Sequence, residues 1–167
     1  MAWPPRAGQI ARASDFRKMP GVGYVRQGAD QSVTSTSVVD SSIVVPVDGL
    51  ITVRLSARWS SGGGGIRWTW SGAGDVSLLA REIVSAGRDA TGNIHELTTM
   101  RHRQQLTLAE EQEVNHISPA TSYLIQELLI LDGSGSVTFQ FGQQVAHANP
   151  TVLHLPSFAL VQPIREL

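Results

Sequence analysis

The histidines are the residues best suited to chemistry in this sequence, and their spacing does not predict a metal site. None belongs to a His-Glu-x-x-His motif, in which two imidazoles share one face of a helix. In a strand, the seven residues from His147 to His154 would place these side chains on opposite faces, roughly 23 Å apart. With no cysteine in the chain, we predict no metal site unless a three-fold axis gathers copies of one residue. The histidines are His95, His102, His116, His147 and His154.

The other motifs that could support catalysis are incomplete. Residues 62–65 are four glycines without the Lys and Ser or Thr of a phosphate-binding loop, and no Gly-x-Ser-x-Gly elbow is present. A Ser, His and Asp set can be drawn from the sequence in many ways, so none is favoured. Glu110, Glu111 and Glu113 are typical of a solvated helix face. The sequence therefore predicts a protein that is not an enzyme and needs no cofactor.

Tryptophans and arginines alternate on two predicted strands and are the candidates for a binding surface. Trp59, Trp68 and Trp70 fall on the apolar side of the alternation, so we expect burial rather than stacking on a sugar. A lectin or a glycan-processing enzyme would have only these rings in its favour. The arginines on the opposite side are the candidate contacts with a receptor such as host surface glycan, namely Arg54, Arg58 and Arg67.

The composition argues against two classes of partner. The 167 residues carry 13 Lys and Arg against 14 Asp and Glu, a formal net charge of -1, so no strong field attracts nucleic acid or an anionic membrane. No stretch approaches the roughly 18 apolar residues of a membrane span, and the N-terminus has no apolar signal segment. We expect a protein made in a cytoplasm and kept there until the cell lyses.

The elements that would position these side chains are predicted to be strands. Residues 51–59 alternate strictly between apolar and polar side chains, as do residues 66–70 and 136–141. Short strands at a spacing of about 8 to 12 residues predict an all-β sandwich of the jelly-roll type. We expect a tight hairpin at residues 132–135, Asp-Gly-Ser-Gly. The one predicted helix is residues 107–114, which begin with a possible capping box.

Residues 124–131 break the alternation because both faces of this predicted strand are apolar. In a two-sheet sandwich the outer face of a strand is normally solvated, so a second apolar face suggests cover from another subunit. A central strand beneath a long loop would explain the same pattern. If subunits cover it, the interface of a homotrimer would include Leu124, Ile125, Leu128, Leu129, Ile130 and Leu131.

We predict two parts in the chain: residues 1–22 as a separate N-terminal arm, and residues 23–167 as the β-sandwich trimerisation domain. Proline and glycine punctuate the arm, which is too short and polar to form its own core. We expect the arm to attach to another surface through its few large apolar side chains, Trp3, Ile10, Phe16 and Met19. A frayed terminus is the alternative.

Two stretches of sequence carry a resemblance to a known family. Residues 24–33 read YVRQGADQSV and precede a Ser/Thr-rich stretch; near the other end, residues 139–143 read FQFGQ and residues 157–160 read SFAL. Over roughly residues 22–164 the chain resembles a domain common in small virion proteins of tailed phages, especially phages of actinobacteria. It departs from that pattern at residues 71–74, SGAG, where the family has a Pro-Ala-Gly loop, and residues 81–116 match nothing in it.

The resemblance implies a trimeric jelly roll, similar to tumour-necrosis-factor-like folds, on the exterior of a phage particle. The expected function is capsid decoration, with the major capsid protein as partner and the arm as the attachment. The alternative is a minor tail protein or fibre tip that binds the host surface through loops at residues 62–65 and 86–93. Capsid decoration is favoured because the chain has no fibre shaft. A tail or fibre-tip role is favoured because this fold is commonly used in adhesins.

Overall fold

The described part of the chain is built from antiparallel β-strands, as the alternating sequence predicts. The computed structural model describes residues 23–85, 87–88, 94–95, 101–102, 107–114 and 122–164. These residues include no helix that is long and apolar enough to cross a membrane. The strands are β1 (Gly23–Arg26), β2 (Gln31–Val33), β3 (Val39–Asp48), β4 (Ile51–Ser61), β5 (Ile66–Ser85), β6 (Gly87–Arg88), β7 (Ile94–His95), β8 (Arg101–His102), β9 (Gln112–Val114), β10 (Tyr123–Gly142) and β11 (Thr151–Pro163).

Strand β10 lies at the centre of the main sheet, although it is one of the last strands in the sequence. The main path of this open sheet is β1-β11-β4-β10-β5-β8. In addition, β2 pairs with β11, β3 with β10, and β9 with β5, while β6 and β7 form a separate pair. The long strands β5 and β10 therefore form the centre of the sheet, and shorter strands extend its edges.

Strands β3 and β4 lie end to end along the same edge of β10. Asp48 at the end of β3 pairs with Ser134, and Ile51 at the start of β4 pairs with Leu131. Between them Gly49 adopts a left-handed φ of 73° and donates its amide to the Gly133 carbonyl at 2.7 Å. Residues 48–51 are therefore a short connection between two collinear strands, which do not pair with each other.

The hairpin predicted at residues 132–135 is wrong, because β10 continues through these residues without reversing direction. The glycines instead permit a close approach to β5. A Cβ on Gly133 would lie 2.0 Å from the Asp75 carbonyl oxygen, and Gly133 has a φ of 125°. No other residue type fits this position without a shift of the backbone. Glycine here marks a bend in a strand pair rather than a chain reversal.

The bend folds the sheet back on itself. Glu127 and Phe141 lie fourteen positions apart on β10, roughly 46 Å along a straight strand. Yet Trp68, which pairs with Phe141, donates a hydrogen bond to the Glu127 side chain. The halves of the sheet on either side of the bend must therefore face each other, an arrangement consistent with a β-sandwich.

The core fills the space between these halves with aromatic and aliphatic side chains. The burial expected for Trp59, Trp68 and Trp70 is confirmed, and the alternation predicted for β4 is confirmed along its whole length. The Trp70 ring meets the Phe139 ring edge-on with centroids 5.4 Å apart. Such buried rings dominate core energetics because each removes a large apolar area from water.

The helix predicted at residues 107–114 is also wrong. The Glu110 amide bonds to the Thr107 carbonyl in a single turn, and β9 follows at once. The Leu108 carbonyl accepts a hydrogen bond from the Trp70 amide at 3.2 Å, and Gln112 pairs with Trp68. Backbone bonds to the edge of β5 thus replace the bonds that a helix would make, and tertiary context outweighs the local helix signal.

Candidate functional site

Within the core formed by the described residues lies a charged cluster centred on Glu127. The Glu127 carboxylate accepts hydrogen bonds from Trp68 Nε1, from Trp70 Nε1 at 2.7 Å and from Arg81 Nη2 at 2.9 Å. The side chains of Arg81 and Glu127 are both 0% exposed. Arg81 also donates through Nη1 to the Glu110 carbonyl at 3.1 Å, so the cluster fixes the turn before β9.

This core cluster is best explained as a structural tie. Its donors come from both halves of β5, and its acceptor lies on β10. Burying charge is costly unless each polar atom is paired, and here both carboxylate oxygens are bonded. Arg81 Nε has no hydrogen-bond partner within the described residues. With no exposed atom to meet a ligand, the cluster holds the folded sheet together rather than binding a substrate.

A second cluster forms at the sheet edge, where β11 bulges away from β4. His154 pairs with Arg58 and Phe158 with Ser56, so three residues of β11 face one residue of β4. The bulge contains the cis peptide bond Leu155-Pro156. Ser157 Oγ donates to the His154 carbonyl at 2.6 Å, and the Arg58 amide donates to the same Oγ at 2.9 Å. These hydrogen bonds fix the backbone that carries the His154 side chain.

The edge cluster brings together Ser60, His154 and Asp30. Ser60 Oγ lies 2.6 Å from His154 Nε2, and His154 Nδ1 lies 3.1 Å from Asp30 Oδ2. The Leu155 amide donates to Asp30 Oδ1 at 2.8 Å. The His154 side chain is 25% exposed and that of Asp30 is 56% exposed. The imidazole therefore bridges a hydroxyl and a carboxylate at a site that water can reach.

The electrostatics of this edge cluster keep Asp30 ionised. The hydrogen bond from the Leu155 amide lowers the pKa of Asp30 below its usual value. The hydrogen bond and charge of His154 and the charge of Arg58 lower this pKa further, whereas desolvation acts in the opposite direction. An ionised carboxylate only accepts hydrogen bonds, so Nδ1 of a neutral His154 carries the proton. Nε2 is then the acceptor for the Ser60 hydroxyl proton.

The six residues predicted at the trimer interface divide between the two faces of β10. Ile125, Leu129 and Leu131 are fully buried in the core of the chain itself. The outer face carries Leu124, which is 42% exposed, together with Leu128 and Ile130, which are half-buried. Only these last three are placed where a second copy of the chain could touch them.

The three candidate receptor arginines differ in exposure and in their ion pairs. Arg54 and Arg58 are exposed on the outer face of β4, and Arg58 Nε donates to Ser122 Oγ at 2.9 Å. Arg67 is partly buried and forms ion pairs with Glu111 at 3.4 Å and Glu113 at 3.5 Å. Arg67 is thus tied to the segment before and within β9, whereas Arg54 and Arg58 share one surface.

The loop at residues 62–65 packs against the loop at residues 143–150. The Gly62 amide donates to the Pro150 carbonyl at 3.1 Å, and the Val145 amide donates to Gly64 at 3.0 Å. Gln143 is fully buried and donates to the Asn149 carbonyl at 2.7 Å. The two loops therefore form one paired surface at the end of β4.

Several predicted site residues lie outside the described residues. These are the arm residues Trp3, Ile10, Phe16 and Met19, and most of the loop at residues 86–93. Among the residues that are described, no group of three or more His, Cys, Asp or Glu side chains is arranged to hold a metal ion.

No protein-family model matches the chain, and no curated protein matches it.

Proposed function

We propose that this chain is a homotrimeric structural protein on the exterior of a tailed-phage particle, with capsid decoration as its role. The resemblance of residues 24–33 and of the last strands to small virion proteins supports this function. The all-β fold agrees with the jelly roll that the resemblance implies. The observation that carries the proposal is the set of apolar side chains on the outer face of β10, where Leu124 is 42% exposed and Leu128 and Ile130 are half-buried.

That outer face continues onto the neighbouring strands. Leu128 lies beside Arg54 of β4, and Leu160 of β11 lies on the other side of the same arginine. Ile130 lies beside Thr52 and Ala80. The aliphatic part of an arginine side chain can complete an apolar surface while its charge stays in water. Three copies packed through this face would cover Leu124, Leu128 and Ile130 together.

Replacing Leu128 with Asp tests the trimer. The wild-type protein should scatter light as three copies of the 18.0 kDa chain at micromolar concentration. Leu128→Asp should give monomers or aggregates, because three unpaired charges would be buried at the contact. Thr138→Asp is the matched control, since Thr138 lies on the outer face of β10 beyond the bend. An 18.0 kDa wild-type species, or an unchanged Leu128→Asp trimer, would refute the proposed interface.

Deleting residues 2–19 tests attachment to the particle. Burial of Trp3, Ile10, Phe16 and Met19 against a shell would contribute about 1.5–3 kcal/mol each before ordering costs. Three arms in one trimer would strengthen attachment through avidity. The truncated protein should remain a trimer and fail to bind particles that lack the native protein. Rebinding at the full-length level would assign attachment to the folded domain instead.

A fibre tip or minor tail protein is the second candidate, and the paired loops favour it. Val145 is 60% exposed at the tip of this surface, where its apolar side chain could meet a host receptor. Under this function the purified protein should bind host cells, and Val145→Asp should abolish binding. Leu79→Asp, at another exposed apolar residue, is the control. Labelling on intact particles would separate the two candidates, since decoration requires many copies and a tail tip only a few.

A further inference from the structure

We propose that Ser60 is a nucleophile toward small acyl esters, activated by His154 and with Asp30 as the residue that positions the imidazole. This site goes beyond the structural role proposed above and does not depend on it. The three side chains come from separate parts of the chain, and the fold alone brings them together. Their contacts, Ser60 Oγ to Nε2 and Nδ1 to Asp30 Oδ2, follow the order that a serine nucleophile requires.

The hydrogen bonds that fix the orientation of the imidazole support this role. Asp30 is held from both sides, because one oxygen accepts the Leu155 amide and the other meets His154. The Ser157 hydroxyl and the Gln27 amide, which donates to the Ser157 carbonyl at 2.8 Å, fix the bulge that carries His154. A base held in one orientation by packed neighbours loses little entropy when it acts.

Access and charge also fit an acyl substrate. Ser60 is half-buried and His154 is partly exposed, so a small carbonyl group can approach Oγ from solvent. Arg58 lies two residues before Ser60 on the same face of β4, and its charge is close enough to lower the pKa of Asp30. The same positive charge would stabilise an oxyanion that forms beside Ser60.

The chemical step is a transfer of the acyl group to the serine. Ser60 Oγ bonds to the ester carbonyl carbon while its proton passes to His154 Nε2. The carbon to alkoxy-oxygen bond then breaks, and His154 returns the proton to the leaving alkoxide. The products are an acyl-serine and an alcohol, and water activated by the same imidazole would release the acid. No oxidant, reductant or metal enters the balance.

The first test is acetylation of the full-length protein by p-nitrophenyl acetate. Nitrophenol release should accompany the appearance of an acetyl group on Ser60, located by mass spectrometry of peptides. Ser60→Ala should reduce the release rate roughly 100-fold, the lower end of what a positioned general base contributes. Ser56→Ala is the matched control, four residues earlier on the same face of β4, and should react like the wild type. Ser60→Cys should restore acylation.

The second test separates activation from a structural hydrogen bond. In the wild type, acylation should accelerate with rising pH, as expected for a reaction that needs an unprotonated general base. The charged groups beside this base are Asp30, which contacts its Nδ1, and Arg58, which pairs with it across β4 and β11. In Asp30→Asn the rate should fall and this pH profile should shift, while the protein stays folded. Equal acetylation of Ser60→Ala and wild type, or labelling spread over lysine and other serines, would overturn the proposal.

Discussion

The core cluster around Glu127 and the edge cluster around Asp30 use the same device, a carboxylate that accepts several hydrogen bonds, with opposite results. Glu127 is fully buried, and its donors are two indoles and a guanidinium, which keep their protons near neutral pH. Asp30 is exposed and faces the imidazole of His154, whose other ring nitrogen contacts the Ser60 hydroxyl. Burial and the identity of the donor, rather than the acid itself, therefore separate a structural tie from a reactive site.

The two clusters also differ in what they connect. The core cluster joins both halves of the folded sheet, because Trp68 and Trp70 lie beyond the bend from Glu127. The edge cluster joins the short connection between β1 and β2 to a bulge in β11. Loss of the core cluster should strongly reduce the stability of the whole fold, whereas loss of the edge cluster should leave the protein folded.

The largest loss of stability is expected for Glu127→Met, which removes the buried negative charge while keeping a similar side-chain volume. Arg81 would be left buried without its partner, which costs about 3–5 kcal/mol of unfolding free energy. Urea unfolding measures this loss. The double variant Glu127→Met, Arg81→Met should recover part of it, because no unpaired charge remains. If the single variant unfolds at the wild-type urea concentration, the cluster is not a structural tie.

A smaller effect is expected for Trp70→Phe, which removes one donor to Glu127. Trp59→Phe is a matched control, because Trp59 is equally buried and its Nε1 has no hydrogen-bond partner within the described residues. A hydrogen bond to a charged group contributes about 1.5–3 kcal/mol. Trp70→Phe should therefore cost that much more than Trp59→Phe in the same unfolding assay. Equal costs would mean that the indole donor adds nothing beyond packing.

The smallest effect on stability is expected for Asp30→Asn, and it should depend on pH. Because folding lowers the pKa of Asp30, the ionised carboxylate stabilises the fold above its unfolded-state pKa. That contribution disappears as the pH falls through the folded-state pKa. Thermal unfolding of wild type and variant should thus differ slightly at neutral pH and converge in acid. Asp132→Asn, at an exposed position on β10, is the control; a gap that widens in acid would contradict the assignment.

Periodicity in the sequence predicted the all-β class and the inner face of the strands, but it did not predict the path of the chain at the glycines. Residues 132–135 have the composition of a hairpin, and only the pairing with both β4 and β3 shows that β10 bends there and continues in the same strand. Likewise, residues 107–114 have local helix signals that are outweighed by bonds to the edge of β5. Local composition does not distinguish a bend from a reversal when the deciding contacts are distant in sequence.

The residues of the two clusters differ in how far they could be predicted from the sequence. Glu127 falls between Ile125 and Leu129 on one face of the predicted strand, so a buried acid could have been inferred there. Its partner Arg81 could not, since it lies 46 residues away. Asp30, Ser60 and His154 carry no local signal at all. They are joined across 94 and 124 residues by strand register and by one bulge.

The position of β10 in the sheet has a consequence for synthesis on the ribosome. Strands β3, β4 and β5 are made before β10, yet β10 must lie between β5 and the other two before they form a sheet. Until residue 142 has left the exit tunnel, the three tryptophans on the inner faces of β4 and β5 have no finished core. The nascent chain is therefore exposed to aggregation for most of its translation, and chaperones of the producing cell should bind it during that interval.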